Sequence, residues 1–246
     1  MTRGLLEDKI DVALVLLEGA VASVLQGNPL QIVKVYVKSP LIWGIHVAAN
    51  SELNAIEDVR GKRYAISRTG SGSHLIAIVD AAERGWETED MEFVPVGGLA
   101  GARSALPSGE ADIFLWERFT TQTYVDQGEF RRVGERQVPW PAFVAASHEN
   151  TVAHRGEEIR HVFEVVDREC ESLMRRSDAV ELISSRYGLE RSETQSWFEH
   201  VEWNLRFDKP VEDLNRVIGY LEKVDIVETE GAIPDRVWAN LTASDS

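Results

Sequence analysis

Residues 64–86 read YAISRTGSGSHLIAIVDAAERGW. A short β-type run, Tyr64 to Ser67, enters a glycine loop running from Ser67 to His74, and a helix-type run, Leu75 to Arg84, leaves it. A strand–glycine loop–helix unit turns free backbone N–H groups toward one point at a helix N-terminus, which suits an anion. Gly70 and Gly72 allow positive φ and close backbone approach, and Ser71 or Ser73 can cap the helix. A phosphate loop of the Walker type would close on Gly-Lys-Ser/Thr, and a dinucleotide loop would place a third glycine or alanine where Leu75 stands. Both nucleotide readings therefore fail. Two readings remain: a grip on a small neutral-to-anionic group by the N–H and hydroxyl groups of Ser67, Gly70, Ser71, Gly72 and Ser73, or a plain helix cap.

Outward from the loop, strand and helix patterns alternate. Toward the N-terminus the pattern predicts a helix at 2–9, a strand at 11–16, a helix at 19–26, strands at 31–38 and 41–49, and a helical turn at 54–62. Toward the C-terminus it predicts strands at 91–96, 111–116, 130–135 and 142–147 with helices at 99–106 and 117–127. From residue 156 the pattern is helical, over 156–176, 178–187, 192–200, 211–224 and 233–241. Alternating βα units with a helical tail predict an α/β fold with mostly parallel sheets.

A faint repeat runs through this pattern. Shifted by 101 residues, 5–40 falls on 106–141 without a gap and with eight identities, among them Asp11 on Asp112, Gln26-Gly27 on Gln127-Gly128, Val37 on Val138 and Pro40 on Pro141. It reads either as convergent βα patterning or as two lobes of like topology. In the second reading each lobe closes on a proline-marked segment that crosses to the other, and Val37–Pro40 and Val138–Pro141 are the expected hinges.

The bulk numbers bound the function. The chain has 246 residues and a formal net charge of −15. That balance opposes binding to a nucleic-acid phosphate backbone, which needs clustered cations, and to an anionic membrane surface. Cys170 is the single cysteine, so no intramolecular disulfide and no cysteine-based zinc site can form. Its neighbours Glu169 and Glu171 disfavour a reactive thiolate. The six histidines show neither HExxH nor clustered spacing, so no metal is expected, and nothing calls for another cofactor. Met1 is followed by TRGLLEDKID, without the apolar core of a secretory signal. The longest apolar stretch, VALVLLEGAVASVL, is broken by Glu18 and too short to span a bilayer. As given, the chain reads as cytoplasmic; a leader upstream would make it periplasmic or extracellular.

A two-lobed α/β protein binds its ligand in a cleft at the carboxyl ends of strands. The residues there are the candidates. Glu18 and Glu117 could accept hydrogen bonds from an amino or cationic ligand, act as an acid–base pair, or simply favour the starts of their helices. Tyr36, Trp43, Trp116 and Trp140 offer ring faces for stacking, or belong to the core. Lys38 and Ser39 lie in the first crossing segment. His74 is a neutral donor or acceptor, or a switch near neutral pH. Trp203-Asn204 is a weaker candidate, and Trp86 and Trp238 are assigned to packing.

Four segments together, KIDVALVLLEGAVASVLQGNPLQIVKVYVKSPLIWGIHV, EDVRGKRYAISRTGSGSH, GEADIFLWERFTTQTYVDQGEFRRVGE and VPWPAFVAAS, resemble type 2 periplasmic-binding-protein-like proteins. Within these, the chain is similar to the nitrate, sulfonate, taurine and thiamine-precursor solute-binding group, and to a small subfamily with counterparts of SRTGSGSH, WERFT and PWP. The resemblance covers roughly residues 1–205. It implies a two-lobed fold, with residues 1–45 and 139–246 forming lobe 1 and 46–138 lobe 2. It also implies hinged closure on a small polar or anionic, heteroaromatic-type solute, and an ABC-transporter permease as partner. Such proteins begin with a further βαβ unit, about 40–50 residues, before the segment that holds Asp11. Lobe 1 is therefore read as truncated, and an exposed sheet edge leads to the expectation of reduced stability or a compensating homo-oligomer. Two other readings stay open. One is an enzyme of pyrimidine or thiamine-precursor metabolism using Lys38 or Lys62 as a Schiff-base lysine, although the cysteine-rich segment of such enzymes is lacking. The other is a stand-alone sensor domain of the same fold.

Overall fold

A computed structural model of the protein describes residues 1–229 and 237–241. It divides into two compact units. Unit 1 comprises Met1–Pro40, Pro139–Arg191 and Gln195–Ser246, and unit 2 comprises Leu41–Val138 and Ser192–Thr194. The chain passes from unit 1 to unit 2 inside one long strand and returns inside another.

Unit 1 begins with helix α1 (Thr2–Leu6), strand β1 (Val12–Leu16) and helix α2 (Leu17–Leu25). Strand β2 then runs without interruption from Leu30 to Ala48 and enters unit 2 after Pro40. The sequence pattern predicts two strands there, split at the proline. Proline removes one backbone donor but holds φ within the extended region, so it need not end a strand.

Unit 2 continues with a 3-10 turn at Ile56–Val59, β3 (Arg63–Ile66), α3 (Gly72–Glu83), β4 (Glu92–Pro95), α4 (Leu99–Ser108), β5 (Ile113–Glu117) and α5 (Arg118–Asp126). Strand β6 (Phe130–His148) likewise runs straight through Pro139 and Pro141, back into unit 1. The tail is helical: α6 (Glu149–Arg175), α7 (Ala179–Tyr187), α8 (Arg191–His200) and α9 (Val211–Lys223). Arg155 leaves helical geometry at φ −132°, so the helix expected from 156 is the part of α6 beyond this kink. Of the helix expected at 233–241, residues 233–236 lie outside the described residues, and Trp238 instead bridges to Ile32.

The fold is α/β, and hydrogen-bonded strands follow the order β1-β6-β2-β5-β3-β4. The pairing is mixed rather than mostly parallel. β3 is parallel to β4 and β5, whereas β1–β6 and β2–β5 are antiparallel. The repeat is visible in the elements themselves. β5 follows β1, and α5 follows α2, at the offset of 101 residues, and β6 follows β2 at 100. Each short strand pairs with the second half of a long strand: Val12–Leu16 with Phe143–Ser147 in unit 1, and Trp43–His46 with Phe114–Glu117 in unit 2.

Each unit has its own core. In unit 2, Ala65, Ala102, Leu106, Phe114 and Phe130 cluster beneath Trp116 and Tyr124. In unit 1, Val33, Ala145, Ile159 and Phe163 do so, with Tyr36 and Phe207 packed against them. Beside that second cluster lies Lys34, fully buried. Its ammonium donates to both Asp167 oxygens at 2.7 and 2.5 Å and lies 4.7 Å from the centre of the Phe207 ring. A buried ammonium is tolerable only with such a partner. Next to it the Tyr36 hydroxyl meets Cys170 Sγ at 3.7 Å, and burial pushes the Cys170 thiol up from its ordinary pKa.

Two outcomes follow. Lys34→Met leaves Asp167 buried and unpaired, and is expected to lower unfolding free energy by about 3–5 kcal/mol, whereas the double change Lys34→Met/Asp167→Leu recovers most of the loss; urea unfolding curves decide. Cys170 is expected to react with a thiol-specific disulfide reagent only as the protein unfolds, and rapid labelling of the native chain would contradict its burial.

Candidate functional site

In unit 2 the carboxyl ends of β3, β4 and β5 lead into the N-termini of α3, α4 and α5. After β3 the glycine loop turns through Gly70 at φ +72°, a conformation that glycine adopts without strain. Ser71 is the N-cap residue of α3, yet its side chain does not cap the helix. Its hydroxyl faces Arg68 N at 3.4 Å and Ser73 Oγ at 3.1 Å. Ser73 Oγ in turn accepts the Ser67 N–H at 3.0 Å and lies 3.4 Å from Ser67 Oγ. Three hydroxyls are thus gathered beside a helix start that no side chain caps. Gly72 opens that helix. Ser71 and Ser73 are buried.

His74 braces the loop. Its Nδ1 accepts the Gly70 N–H at 3.1 Å, and its ring stands edge-on to Phe93 at 4.5 Å. Burial lowers its pKa, in keeping with a neutral ring whose Nδ1 is an acceptor.

The next loop was not singled out by the sequence reading. Gly97 N–H donates to Ser67 O at 3.1 Å, tying the β4–α4 turn to the β3–α3 turn. Gly98, at φ +150°, is the N-cap of α4, which also has no side-chain cap. The signal for it is the glycine pair directly after the strand in VPVGGLA. A Cβ at Gly98 would lie 3.9 Å from the Trp116 ring. Trp116 is half-buried and stacks on Phe114 at 5.1 Å.

The third helix start is closed. Glu117 accepts from Phe119 N at 2.8 Å, Thr120 N at 2.6 Å and Thr120 Oγ1 at 2.5 Å. Its carboxylate is occupied as a helix cap. Trp43 is the strand partner of Glu117 and is 3% exposed, with no hydrogen-bond partner for its indole N–H. Nearby lies His46, a residue that no sequence pattern flagged. It is fully buried, with Nδ1 3.2 Å from Phe114 O and Nε2 2.9 Å from Thr121 Oγ1, while Arg132 Nε approaches Nε2 at 3.4 Å. Burial first, and the Arg132 charge second, lower its pKa to about 4.

The unit 1 candidates are held by their own unit. The Tyr36 hydroxyl is engaged by Cys170 and Trp203, and its carbonyl accepts from Asn204 N at 2.9 Å. Lys38 pairs with Glu202 at 3.1 Å on the surface, and Ser39 Oγ accepts the Glu202 N–H at 3.1 Å. Glu18 is 2% exposed and Trp140 likewise; Trp140 Nε1 donates to Glu18 Oε2 at 3.0 Å, and Glu18 Oε1 has no partner. In this structure the rings of Trp43 and Trp140 are enclosed, while Trp116 in unit 2 and the weaker candidate Trp203 in unit 1 are partly exposed. Among the described residues no cluster of His, Cys, Asp or Glu could hold a metal, and no helix is long and apolar enough to cross a membrane.

Residues 43–136, which lie within unit 2, match the sequence model of the Ca3427-like PBP family. Among solved structures, the chain is similar to the Candida albicans CA3427 gene product, described as having the generic periplasmic-binding-protein fold, with a TM-score of 0.84 at 23% identity over 96% of this chain and 78% of that one. The chain has the periplasmic-binding-protein fold. Two sulfonate-binding relatives of that fold are also similar. The periplasmic aliphatic sulphonate binding protein SsuA of Escherichia coli aligns with a TM-score of 0.68 at 20% identity, over 97% and 83% of the two chains. The alkanesulfonate-binding SsuA of Xanthomonas axonopodis pv. citri, bound to MOPS, aligns with 0.76 at 17% identity, over 97% and 81%. A search of curated protein sequences finds no match.

His46 sets a pH dependence with a definite sign. Its folded pKa lies below its unfolded one, so the unfolded chain binds the extra proton. Stability from keeping it neutral is full above about pH 6.5 and is lost as pH falls toward 4. The loss is expected to reach about 3 kcal/mol. Urea unfolding across that window should show this slope, and His46→Gln should flatten it.

Proposed function

We propose that this chain is a solute-binding protein for a small anionic solute, held in unit 2 at the starts of α3 and α4. One observation carries the reading: two helix N-termini without side-chain caps, joined through Gly97 N and Ser67 O, open beside the hydroxyls of Ser67, Ser71 and Ser73. Donors of this kind at helix starts favour oxygens that carry negative charge, and they recognise a fixed geometry rather than a charge alone. The fold supports it, because proteins of this fold are described as binding sulfonates. Trp116 supplies an apolar surface for whatever group the anion carries. Glu117 is occupied as a helix cap and His74 braces the loop, so neither is free to act as an acid or base in this arrangement.

Thermal-shift and calorimetric titrations with alkanesulfonates, taurine, nitrate, small carboxylates and pyrimidines test the reading. Binding by at least one anion class is expected. Ser73→Ala removes the acceptor of the Ser67 N–H and is expected to weaken that binding about tenfold with the fold retained by circular dichroism. An absence of binding by every anion, or a Ser73→Ala protein that binds like the parent, would contradict it.

A further inference from the structure

The glycine loop after β3 is held by acceptors of two kinds. Among the described residues, three side chains accept its backbone N–H groups: Ser73 Oγ takes Ser67 N at 3.0 Å, Ser71 Oγ takes Arg68 N at 3.4 Å, and His74 Nδ1 takes Gly70 N at 3.1 Å. A hydroxyl accepts a hydrogen bond at any ordinary pH, whereas an imidazole nitrogen accepts only while it carries no proton. His74 is therefore the acceptor of the three that acid can remove.

The geometry fixes the tautomer. With Nδ1 turned to the Gly70 N–H, the proton of the neutral ring sits on Nε2. The Phe93 ring of β4 stands edge-on 4.5 Å away and limits where the imidazole can turn. The charged groups of these elements are engaged or exposed. Arg68 in the loop is exposed and donates to Thr69 O, Glu92 beside Phe93 is exposed and acts on Arg63, and one turn along α3 stand Ala77 and Ile78. Burial is what lowers the His74 pKa below its ordinary 6.5. A proton on Nδ1 would set two N–H groups against each other across 3.1 Å, and a cation in the first turn of α3 opposes the helix dipole. Protonation and the brace on Gly70 therefore exclude each other. The brace is complete above about pH 6.5 and is lost as pH falls through the lower folded value.

We propose that His74 is a positioning residue whose protonation opposes anion binding in unit 2: the neutral Nε2–H tautomer holds Gly70, and with it the hydroxyls of Ser71 and Ser73, in the binding geometry, and the imidazolium releases them. The inference rests on the reading of this site as an anion site. Its sign runs against plain electrostatics, in which a new positive charge would draw an anion in. Loss of one hydrogen bond from the loop weakens binding about fivefold. By linkage, a bound anion lowers the His74 midpoint by the same factor, about 0.7 of a pH unit.

The test uses ethanesulfonate, which stays ionised throughout, above pH 5, where His46 with its pKa of about 4 stays largely neutral. The ring nitrogens of His74 are followed by NMR with and without saturating ethanesulfonate, and need no variant. Expected are an unprotonated Nδ1 at pH 7.5 and a midpoint that moves down when ethanesulfonate binds. Calorimetry on two variants supplies the second readout. His74→Asn, whose Oδ1 can stand where Nδ1 stands, is expected to bind like the parent at pH 7.5 and with no fall on acidification. His74→Gln, whose carbonyl lies one bond farther out, is expected to bind about fivefold more weakly throughout. A role in packing alone would leave Asn no better than Gln. A protonated Nδ1 at pH 7.5, a midpoint that rises or stays put on binding, or an Asn variant as weak as the Gln variant would overturn the role of His74 and leave anion binding standing. No ethanesulfonate binding at any pH would overturn the coupling, and the wider anion panel would then judge the solute-binding reading separately.

Discussion

Everything in this structure hangs on the pairing of two short strands with the far halves of two long ones. β1 is held by residues 143–147 of β6, and β5 by residues 43–46 of β2. Both pairings join segments far apart in the chain, and in both the long strand stays extended through its prolines. The paired residues, Trp43–His46 and Phe143–Ser147, both lie beyond the prolines of their strands. Backbone groups buried in a sheet cannot be left without partners. These pairings are therefore what allows either unit to close its core.

From that pairing the helix starts follow. A strand that ends at the carboxyl edge of its sheet hands the chain to a helix, and the first amides of that helix have no partner within it. The chain treats these starts differently. α5 is closed by Glu117, which takes two amides and a hydroxyl. α3 and α4 are left without side-chain caps in unit 2, as α2 is in unit 1. The tail helices α7, α8 and α9 lack side-chain caps as well, so it is the hydroxyls of Ser67, Ser71 and Ser73, and not the missing cap alone, that set the start of α3 apart.

The two buried ionisable groups that matter most work in opposite senses. Lys34 has both Asp167 oxygens and two aromatic rings around its ammonium. His46 has an arginine for a neighbour, so burial and charge both hold it neutral. Glu18 resembles His46 in lacking a counter-charge, but it is an acid, and the same burial acts to keep its proton on rather than off. Composition shows none of these partners: Lys34 and His46 lie in apolar runs that periodicity reads as plain core, and Glu18, though marked by its charge, gives no sign of its burial.

The alternation of strands and helices, the glycine loop after β3 and the 101-residue repeat were all legible in the order of residues. Each rests on local pattern: apolar period and glycine placement. The loop's cluster of serines could be named from SRTGSGSH. That Ser71 would turn away from its own helix could not, because the choice depends on Ser73 and Arg68 closing over it. The continuity of β2 and β6 was misjudged because proline is a local signal, whereas its tolerance depends on which backbone donors the neighbouring strand needs. The enclosure of Trp43 and Trp140, the occupation of Glu117 and the isolation of Glu18 are likewise matters of what packs on what. Sequence by itself determined which groups the protein has available and on which elements they ride; tertiary structure decided which of them are already bonded and which still lack a partner, because hydrogen bonds and desolvation are settled by neighbours distant in the chain.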